Sequence, residues 1–433
     1  MVWYIYTDHQ RESKKINEEI HPNIHVSTFP ITTLSNGIRV VVQPSKSSVC
    51  HCGIIIGTGS RDEKPEEYGM AHFIEHTIFK GTRRRTGIQI LNRLDEVGGE
   101  LNAYTTKDET AVHAAVLGKD LERAIELLAD MVFCPTFPEK EIIRERDVIL
   151  DEINSYKDTP SELIFDDFEE RVFYHPALAH NILGTTESLM TFNGDSARRF
   201  IERAYHTDNI VLSVLGDVDA ERVFRLAEKH LGHYERKHRP KDFRQSASRY
   251  CRITERENRG YNQAHILMGN IAPSALEDGR VPLYILNNIL GGPCMNAILS
   301  VALREKNGIA YNVESDYTTF SDVGLEAIYF GTDADKVTKS IRIVNRELDK
   351  ICGRPFSETR LNRIKRQIEG QLLLATEDKE SMMLSAARSI LLYGEAKGIE
   401  SSVEAIRAVD SKEIQEIACR VFDPSQMSVL VYG

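Results

Sequence analysis

Apolar positions along the chain alternate between a strand period and a helix period. After the turn Ser35-Asn36-Gly37, apolar residues predict a strand over 38–43, and a second apolar run predicts another over 49–56. Helical spacing follows at 72–80, at 88–97, near 120–132 and at 138–157, with a hairpin around 107–109 between these segments. The sequence therefore predicts an α+β fold.

The two halves of the chain resemble copies of one unit. IVLSVLG at 210–216 is echoed by MSVLVYG at 427–433, so that Ser213 and Ser428 lie 215 positions apart, while Gly118 and Gly331 mark a second echo 213 positions apart. Two distant landmarks that agree to within two positions indicate a duplicated domain. The basic stretch around Pro240 lacks helical spacing and predicts a linker. The expected boundaries are an N-terminal extension at 1–27, a first domain at 28–234, a linker at 235–249 and a homologous second domain at 250–433.

Charge and cysteine usage narrow the class of protein. A net charge of −11 disfavours nucleic acid and anionic membranes as partners, and it tolerates a basic substrate better than an acidic one, although it also serves solubility. Seven scattered cysteines do not form a disulfide framework, and Cys50 and Cys52 are interpreted as small core residues of one strand. With no apparent signal or membrane-spanning run, we expect a cytoplasmic protein.

The segment HFIEH at 72–76 is the strongest candidate for chemistry. His72 and His76 are four residues apart, so in a helix their imidazoles lie on one face and are able to converge on one ion. Glu75 lies on an adjoining part of that face, close enough to reach a metal-activated water as the general base. This order inverts the HExxH helix of zinc peptidases. The corresponding region of the second half, LYILNNIL at 283–290, contains no metal-ligand type.

Catalytic zinc takes three protein ligands and an open fourth position, so a further ligand is expected. The predicted helix at 138–157 offers Glu145 and Glu152 seven residues apart on one face. We interpret Glu152 as the third ligand and Glu145 as a carboxylate that orients a ligand imidazole or water. The alternatives are that the histidines are surface or core residues and that these acids form a solvated face paired with arginines. Such ligands also accept manganese or cobalt.

From about Thr28 to its end, the chain resembles the pitrilysin/insulinase metallopeptidases, especially the branch with the mitochondrial processing peptidase β subunit and its bacterial relatives. GMAHFIEHTIFKGT at 69–82 is similar to the active-site helix of that family, and ERDVILDEI at 145–153 to the segment with the third ligand. The resemblance implies two homologous domains, each a mixed, mostly antiparallel sheet packed with helices. It also implies one Zn²⁺ per chain.

The same resemblance implies a set of substrate-binding residues. VGGELNAYTTKDET at 97–110 is similar to the family's edge strand, in which the backbone around Asn102 and Ala103 would pair with a peptide. LREKNGIAYNVES at 303–315 maps Arg304 and Tyr311 onto residues that hold substrate carbonyls and assist the tetrahedral intermediate. GGPCMNAIL at 291–299 departs from the family, which usually has Ser-Arg-Leu where this chain has Asn-Ala-Ile.

These observations predict a zinc-dependent endopeptidase that acts on peptides or unfolded polypeptide segments. Its larger relatives enclose substrate between four domains, so we expect a homodimer, with Arg304 and Tyr311 serving either their own or the partner's zinc site. One alternative is a non-catalytic scaffold or regulatory subunit that has kept the fold. Another is a zinc hydrolase of a small non-peptide amide, which would use the same metal ligands.

Overall fold

The computed structural model describes residues 29–241, 243–244 and 249–433. The predicted N-terminal extension and the linker positions 242 and 245–248 lie outside the described residues. The described residues form two compact units, of which unit 1 lies within 1–154, 180–245 and 375–402, and unit 2 within 155–179, 246–374 and 403–433.

Unit 1 contains a six-stranded mixed sheet in the order β1-β2-β6-β3-β5-β4. Among the described strands of this sheet, β2 and β6 pair in parallel and the other neighbours are antiparallel. The strands are β1 (Ile31–Thr33), β2 (Arg39–Pro44), β3 (Val49–Ile56), β4 (Glu100–Thr105), β5 (Thr110–Leu117) and β6 (Ile210–Gly216).

Unit 2 contains a five-stranded sheet in the order β7-β11-β8-β10-β9, in which β7 and β11 are the parallel pair. The strands are β7 (Thr254–Glu257), β8 (Ala264–Ala272), β9 (Ala310–Thr319), β10 (Gly324–Thr332) and β11 (Ser428–Tyr432). This order matches β2-β6-β3-β5-β4 strand for strand, with Ser213 on β6 and Ser428 on β11. The predicted duplication and the mostly antiparallel sheets are confirmed.

Sixteen α-helical segments accompany these sheets in the described part of the chain. Those of the first half are α1 (Met70–Thr77), α2 (Gly87–Asp95), α3 (Leu121–Phe133), α4 (Glu139–Lys157), α5 (Pro160–Val172), α6 (Pro176–Ala179), α7 (Thr186–Thr191), α8 (Gly194–Ala204) and α9 (Ala220–Leu231). Those of the second half are α10 (Arg280–Gly291), α11 (Ile298–Ser300), α12 (Val337–Gly353), α13 (Glu358–Ala375), α14 (Lys379–Tyr393), α15 (Ile399–Ala408) and α16 (Ser411–Val421).

Alternating residues of the unit 1 strands supply two apolar faces. Cys50 and Cys52 on β3 are fully buried in the larger core together with side chains of α1 and α3, as expected for small core residues. The opposite face, which includes Val41 and Ile55, packs against α14. The unit 1 sheet is therefore covered on both sides.

The two units cross the predicted domain boundaries because each half of the sequence contributes a helix to the other unit. α14, from the second half, buries Met383 against the unit 1 sheet, and Ser213 Oγ donates to the Met383 carbonyl at 2.8 Å. α5, from the first half, buries Ile164 and Phe168 in the core of unit 2. The apolar spacing within a helix shows that it buries one side but does not identify the sheet that covers it.

The predicted linker begins with an anchored segment. Arg239 and Arg244 both form ion pairs with the buried carboxylate of Asp62, and Arg244 also pairs with Asp108 at 2.9 Å. The basic residues at 239 and 244 are therefore partners of the buried Asp62, a role that charge spacing alone does not reveal. None of the helices in the described ranges is long and apolar enough to cross a membrane.

Replacing Phe168 with Ala tests whether α5, from the first half of the sequence, packs in the core of unit 2. The Phe168 side chain is fully buried and its ring lies against Gly269, so the truncation leaves a cavity. We expect the free energy of unfolding to fall by about 3–5 kcal/mol in urea denaturation followed by circular dichroism. Glu170→Ala, at an exposed position of the same helix, should change it by less than about 0.5 kcal/mol. Equal losses in the two variants would contradict this packing.

Candidate metal centre

The helix α1 starts at a position that requires glycine. Gly69, its N-cap, has a φ of +95°, and a Cβ there would lie 2.7 Å from the Leu183 carbonyl oxygen. The carboxylate of Glu63 accepts hydrogen bonds from the backbone N–H groups of Gly69 at 2.8 Å and Ala71 at 2.7 Å. These bonds satisfy donors that a helix N-terminus leaves unpaired, and the negative charge is favourable beside them.

Glu63 is itself buried and held by a third partner. His180 Nε2 lies 3.0 Å from Glu63 Oε2, and the His180 ring stacks on Tyr68 at 3.9 Å between centroids. Burial raises the pKa of the Glu63 carboxyl to about 7, while His180 and the two backbone N–H groups act in the opposite direction. The N-terminal end of α1 is thus fixed by a buried polar cluster.

His72 and His76 lie one turn apart on α1, as their spacing predicts. Their rings are 4.6 Å apart between centroids and tilted by 66°. Burial, with a smaller contribution from His76, lowers the pKa of the His72 imidazole to about 3. A neutral imidazole has a free lone pair, which is the form that binds metal.

Glu152 completes a set of three donor atoms. Its Oε2 lies 3.6 Å from His72 Nε2 and 3.3 Å from His76 Nε2, and the three residues offer ligand atoms that all lie within 4.8 Å of one another. Tetrahedral zinc with bonds of roughly 2.1 Å separates its ligand atoms by about 3.4 Å. Two nitrogens and one carboxylate oxygen at these separations fit a zinc ion.

Glu145 lies one layer behind this set. Its Oε2 is 3.2 Å from His76 Nδ1, and its Oε1 is 2.6 Å from Lys80 Nζ. This contact is the one that the seven-residue spacing with Glu152 suggested. A carboxylate on Nδ1 fixes the tautomer that leaves Nε2 unprotonated, and it orients the ring toward Glu152.

Glu75 lies partly buried between the histidines and the edge of the sheet. Burial raises the pKa of its carboxyl most strongly and Glu152 adds to this, whereas Thr105 on β4 and His76 act in the opposite direction. A carboxyl with a pKa above its ordinary range is suited to accept a proton and release it again.

The segment that contains Asn102 and Ala103 is an edge strand. β4 ends the unit 1 sheet, and within the described residues it pairs only with β5. Asn102 is exposed and Ala103 is half-buried, and α1 packs beside this strand. One edge of its backbone is therefore able to pair with an extended peptide. That Asn102 and Ala103 bind substrate in this way stays a prediction.

Arg304 and Tyr311 lie in unit 2. Arg304 belongs to a π-helical turn, Val301–Glu305, and its Nε donates to Glu305 at 2.8 Å. Tyr311 lies on β9, an edge strand, with 78% of the residue exposed. The departing segment 291–299 follows α10 and exposes Met295. The substrate role inferred for Arg304 and Tyr311 stays a prediction.

The sequence did not identify two residues that support the site. Glu63 lies before the HFIEH helix at a spacing that marks no motif. Lys80 belongs to the Phe-Lys-Gly-Thr stretch after that helix, and the sequence indicates no role for it. Both act through contacts between distant elements. The nearest available signal was the position of Glu63 just before a helix N-terminus, where acids are favoured.

Models of known families match most of the chain. Residues 39–186 match the model of the insulinase family, peptidase family M16, and residues 191–368 match the model described as the peptidase M16 inactive domain. The second match includes the α10 region, which lacks metal-ligand residues.

Similar proteins cover nearly the whole chain. A Bacillus subtilis protein called uncharacterized zinc protease YmxG is 33% identical over 404 residues, which are 92% of this chain and 97% of the relative. An uncharacterized zinc protease of Streptomyces coelicolor is 32% identical over 91% of this chain and 87% of its own. A crystal structure of a Helicobacter pylori protease shares the fold, with a TM-score of 0.85 at 20% identity, and covers 94% of this chain and 100% of its own.

Glu145→Gln tests the orientation of His76. The amide keeps the shape of the side chain but removes the charge that holds the Nδ1 proton, so we expect zinc affinity to fall by about 10- to 100-fold. Competition with a chromophoric chelator measures this affinity. Asp147→Asn, at an exposed position of α4, is the matched control and should bind zinc like the unsubstituted protein. Unchanged affinity in Glu145→Gln would refute this role.

Proposed function

Because the chain belongs to peptidase family M16, the insulinase family, we propose that it is a zinc-dependent endopeptidase acting on peptides or unfolded polypeptide segments. The family and the names of its relatives indicate a zinc protease of the M16 type. The observation that carries the finer proposal is the convergence of His72 Nε2, His76 Nε2 and Glu152 Oε2, with Glu75 beside them.

In this proposal His72, His76 and Glu152 hold one zinc ion per chain. When bound, zinc acts as a Lewis acid that makes water acidic near neutral pH and polarises a carbonyl group. His72 suits this role because burial keeps its imidazole neutral, and His76 suits it because Glu145 accepts from its Nδ1–H. The donor set is hard and nitrogen-rich, as in catalytic zinc sites.

Glu75 acts as the general base and then as the general acid. Its carboxylate accepts a proton from the water whose oxygen attacks the scissile carbonyl carbon, and it gives that proton to the amine nitrogen as the C–N bond breaks. Burial favours this exchange because it raises the pKa of the Glu75 carboxyl. Arg304 and Tyr311 would assist by donating to carbonyl oxygens of the substrate.

The edge strand β4 supplies a general means of binding peptide. An extended peptide that pairs with the backbone around Asn102 and Ala103 gains main-chain hydrogen bonds whatever its sequence, and it lies next to α1. A small amide without neighbouring peptide groups would gain none of these bonds. This edge favours a peptide substrate over a small non-peptide amide.

Glu75→Gln separates the endopeptidase from a non-catalytic zinc-binding subunit. The amide cannot take a proton at neutral pH, so we expect peptide cleavage to fall by at least about 10²-fold while zinc content in elemental analysis stays at one per chain. The control is Glu66→Gln, which lies at an exposed position shortly before α1 and should cleave normally. If Glu75→Gln cleaved at the rate of the unsubstituted protein, Glu75 would not be the base. A wild-type chain that binds zinc and cleaves nothing would favour the scaffold or regulatory role.

We extend the proposal to a homodimer. This chain has two related domains, whereas the larger members of the family that it resembles enclose substrate between four. Neither nucleic acid nor a membrane is part of the proposal, in keeping with the net charge of −11. Sedimentation velocity should give about twice the chain mass of 49.1 kDa. Full activity in a species of a single chain mass would refute the dimer.

A further inference from the structure

A groove of about 800 Å³ lies between the segment 79–91 and the start of α4. Ile88 and Leu91 of α2 line it and are 68% and 47% exposed, whereas Ile90 and Leu94 of the same helix are fully buried. Ile88 and Leu91 are three residues apart and share one helix face. The volume is within the range of sites that bind side chains or small ligands. Helix α2 thus has a second apolar face, and this face lines the groove.

The rim of the groove is basic. Six basic residues and one acid, Glu141, line it. Four of the six have acidic partners: Lys80 with Glu145, Arg84 with Glu126, Arg85 with Glu126 and Asp130, and Arg144 with Glu141. The other two, Arg83 and Lys140, are exposed and form no ion pair within the described ranges. The groove therefore has two cationic groups available for an anionic ligand.

Lys80 links the groove to the candidate metal centre through Glu145. Lys80 lines the groove, and its Nζ lies 2.6 Å from Glu145 Oε1, while the other oxygen of Glu145 is 3.2 Å from His76 Nδ1. Only the short turn Ile78–Lys80 separates α1 from the groove wall. A polypeptide held at the metal centre would therefore have this groove within a few residues' reach.

Resting on the proposed peptidase function, we propose that the groove binds a segment of the substrate in which an acidic side chain neighbours an apolar one. The acidic group pairs with Arg83 and Lys140, and the apolar side chain covers Ile88 and Leu91. The first turn of α2, which also lines the groove, adds the positive end of its dipole. This is substrate specificity for acidic–apolar segments close to the scissile bond.

The net charge of the chain favours the opposite choice. A charge of −11 tolerates basic substrates better at long range. At physiological ionic strength, however, exposed charges beyond roughly 8 Å are largely screened. The local sign at the groove, not the sum over the chain, therefore selects the bound side chain.

The test compares two fluorescent peptides of otherwise identical sequence. The acidic peptide carries Glu and Asp next to Leu residues, and the neutral peptide carries Gln and Asn at the same positions. Fluorescence anisotropy with full-length Glu75→Gln protein measures binding without cleavage. We expect the acidic peptide to bind about three- to tenfold more tightly at low salt and the difference to shrink at high salt. Equal affinities for the two peptides would overturn the proposal.

Variants locate the effect. In the same background, Arg83→Ala with Lys140→Ala should abolish the preference, and Arg83→Glu with Lys140→Glu should transfer it to a peptide carrying Lys. The matched control, Lys46→Ala with Arg199→Ala, removes the same charge from exposed sites of unit 1 and should retain the preference. A preference that survives loss of Arg83 and Lys140 would mean that the acidic peptide binds elsewhere, which also overturns the proposal.

Cleavage by the unsubstituted protein separates this inference from the proposed function. If the unsubstituted protein cleaves both peptides and Glu75→Gln binds them with equal affinity, the groove proposal is refuted and the endopeptidase proposal stands. Preferential binding of the acidic peptide by a zinc-loaded protein that cleaves no peptide refutes the endopeptidase and retains the groove as a binding site for acidic segments.

Discussion

The N-terminus of helix α1 is fixed by the buried carboxylate of Glu63, and the geometry of the site depends on this contact. Glu63 accepts from the backbone of Gly69 and Ala71, directly before His72. At the other end, Glu145 holds His76 Nδ1 and Lys80. With both ends of a two-turn helix fixed, the two imidazoles have little freedom to turn away from Glu152. Three donor atoms therefore stay within reach of one ion through contacts of the protein itself.

The unit 1 sheet gives this helix a stable neighbour with a usable edge. Helix α14, from the second half of the sequence, covers one face of the sheet, and its Arg388 pairs with Glu109 and donates to Tyr104 Oη at 2.7 Å. Tyr104 belongs to β4 and Glu109 to the turn that follows it. A helix contributed by the second half of the sequence thus stabilises the strand on which a peptide would pair.

Local patterns predicted the parts of the structure that depend on local physics. The apolar run at 49–56 is the strand β3, the spacing of His72 and His76 brings their rings together, and the two echoes 213 and 215 positions apart correspond to matching strand orders. What the sequence missed depends on packing between distant segments. Helical spacing could not reveal that α5 and α14 pack in the other unit. Charge spacing could not reveal that Arg244 pairs with buried Asp62, or that Glu63 caps α1.

Zinc K-edge X-ray absorption of the zinc-loaded protein tests the proposed metal centre most directly, because it reports the atoms bound to the metal. Binding by His72, His76 and Glu152 predicts a first shell of nitrogen and oxygen at about 2.0–2.2 Å, with the multiple-scattering pattern of two imidazoles and no sulfur. A sulfur shell near 2.3 Å would assign the metal to cysteine and contradict the account. A first shell without imidazole would do the same.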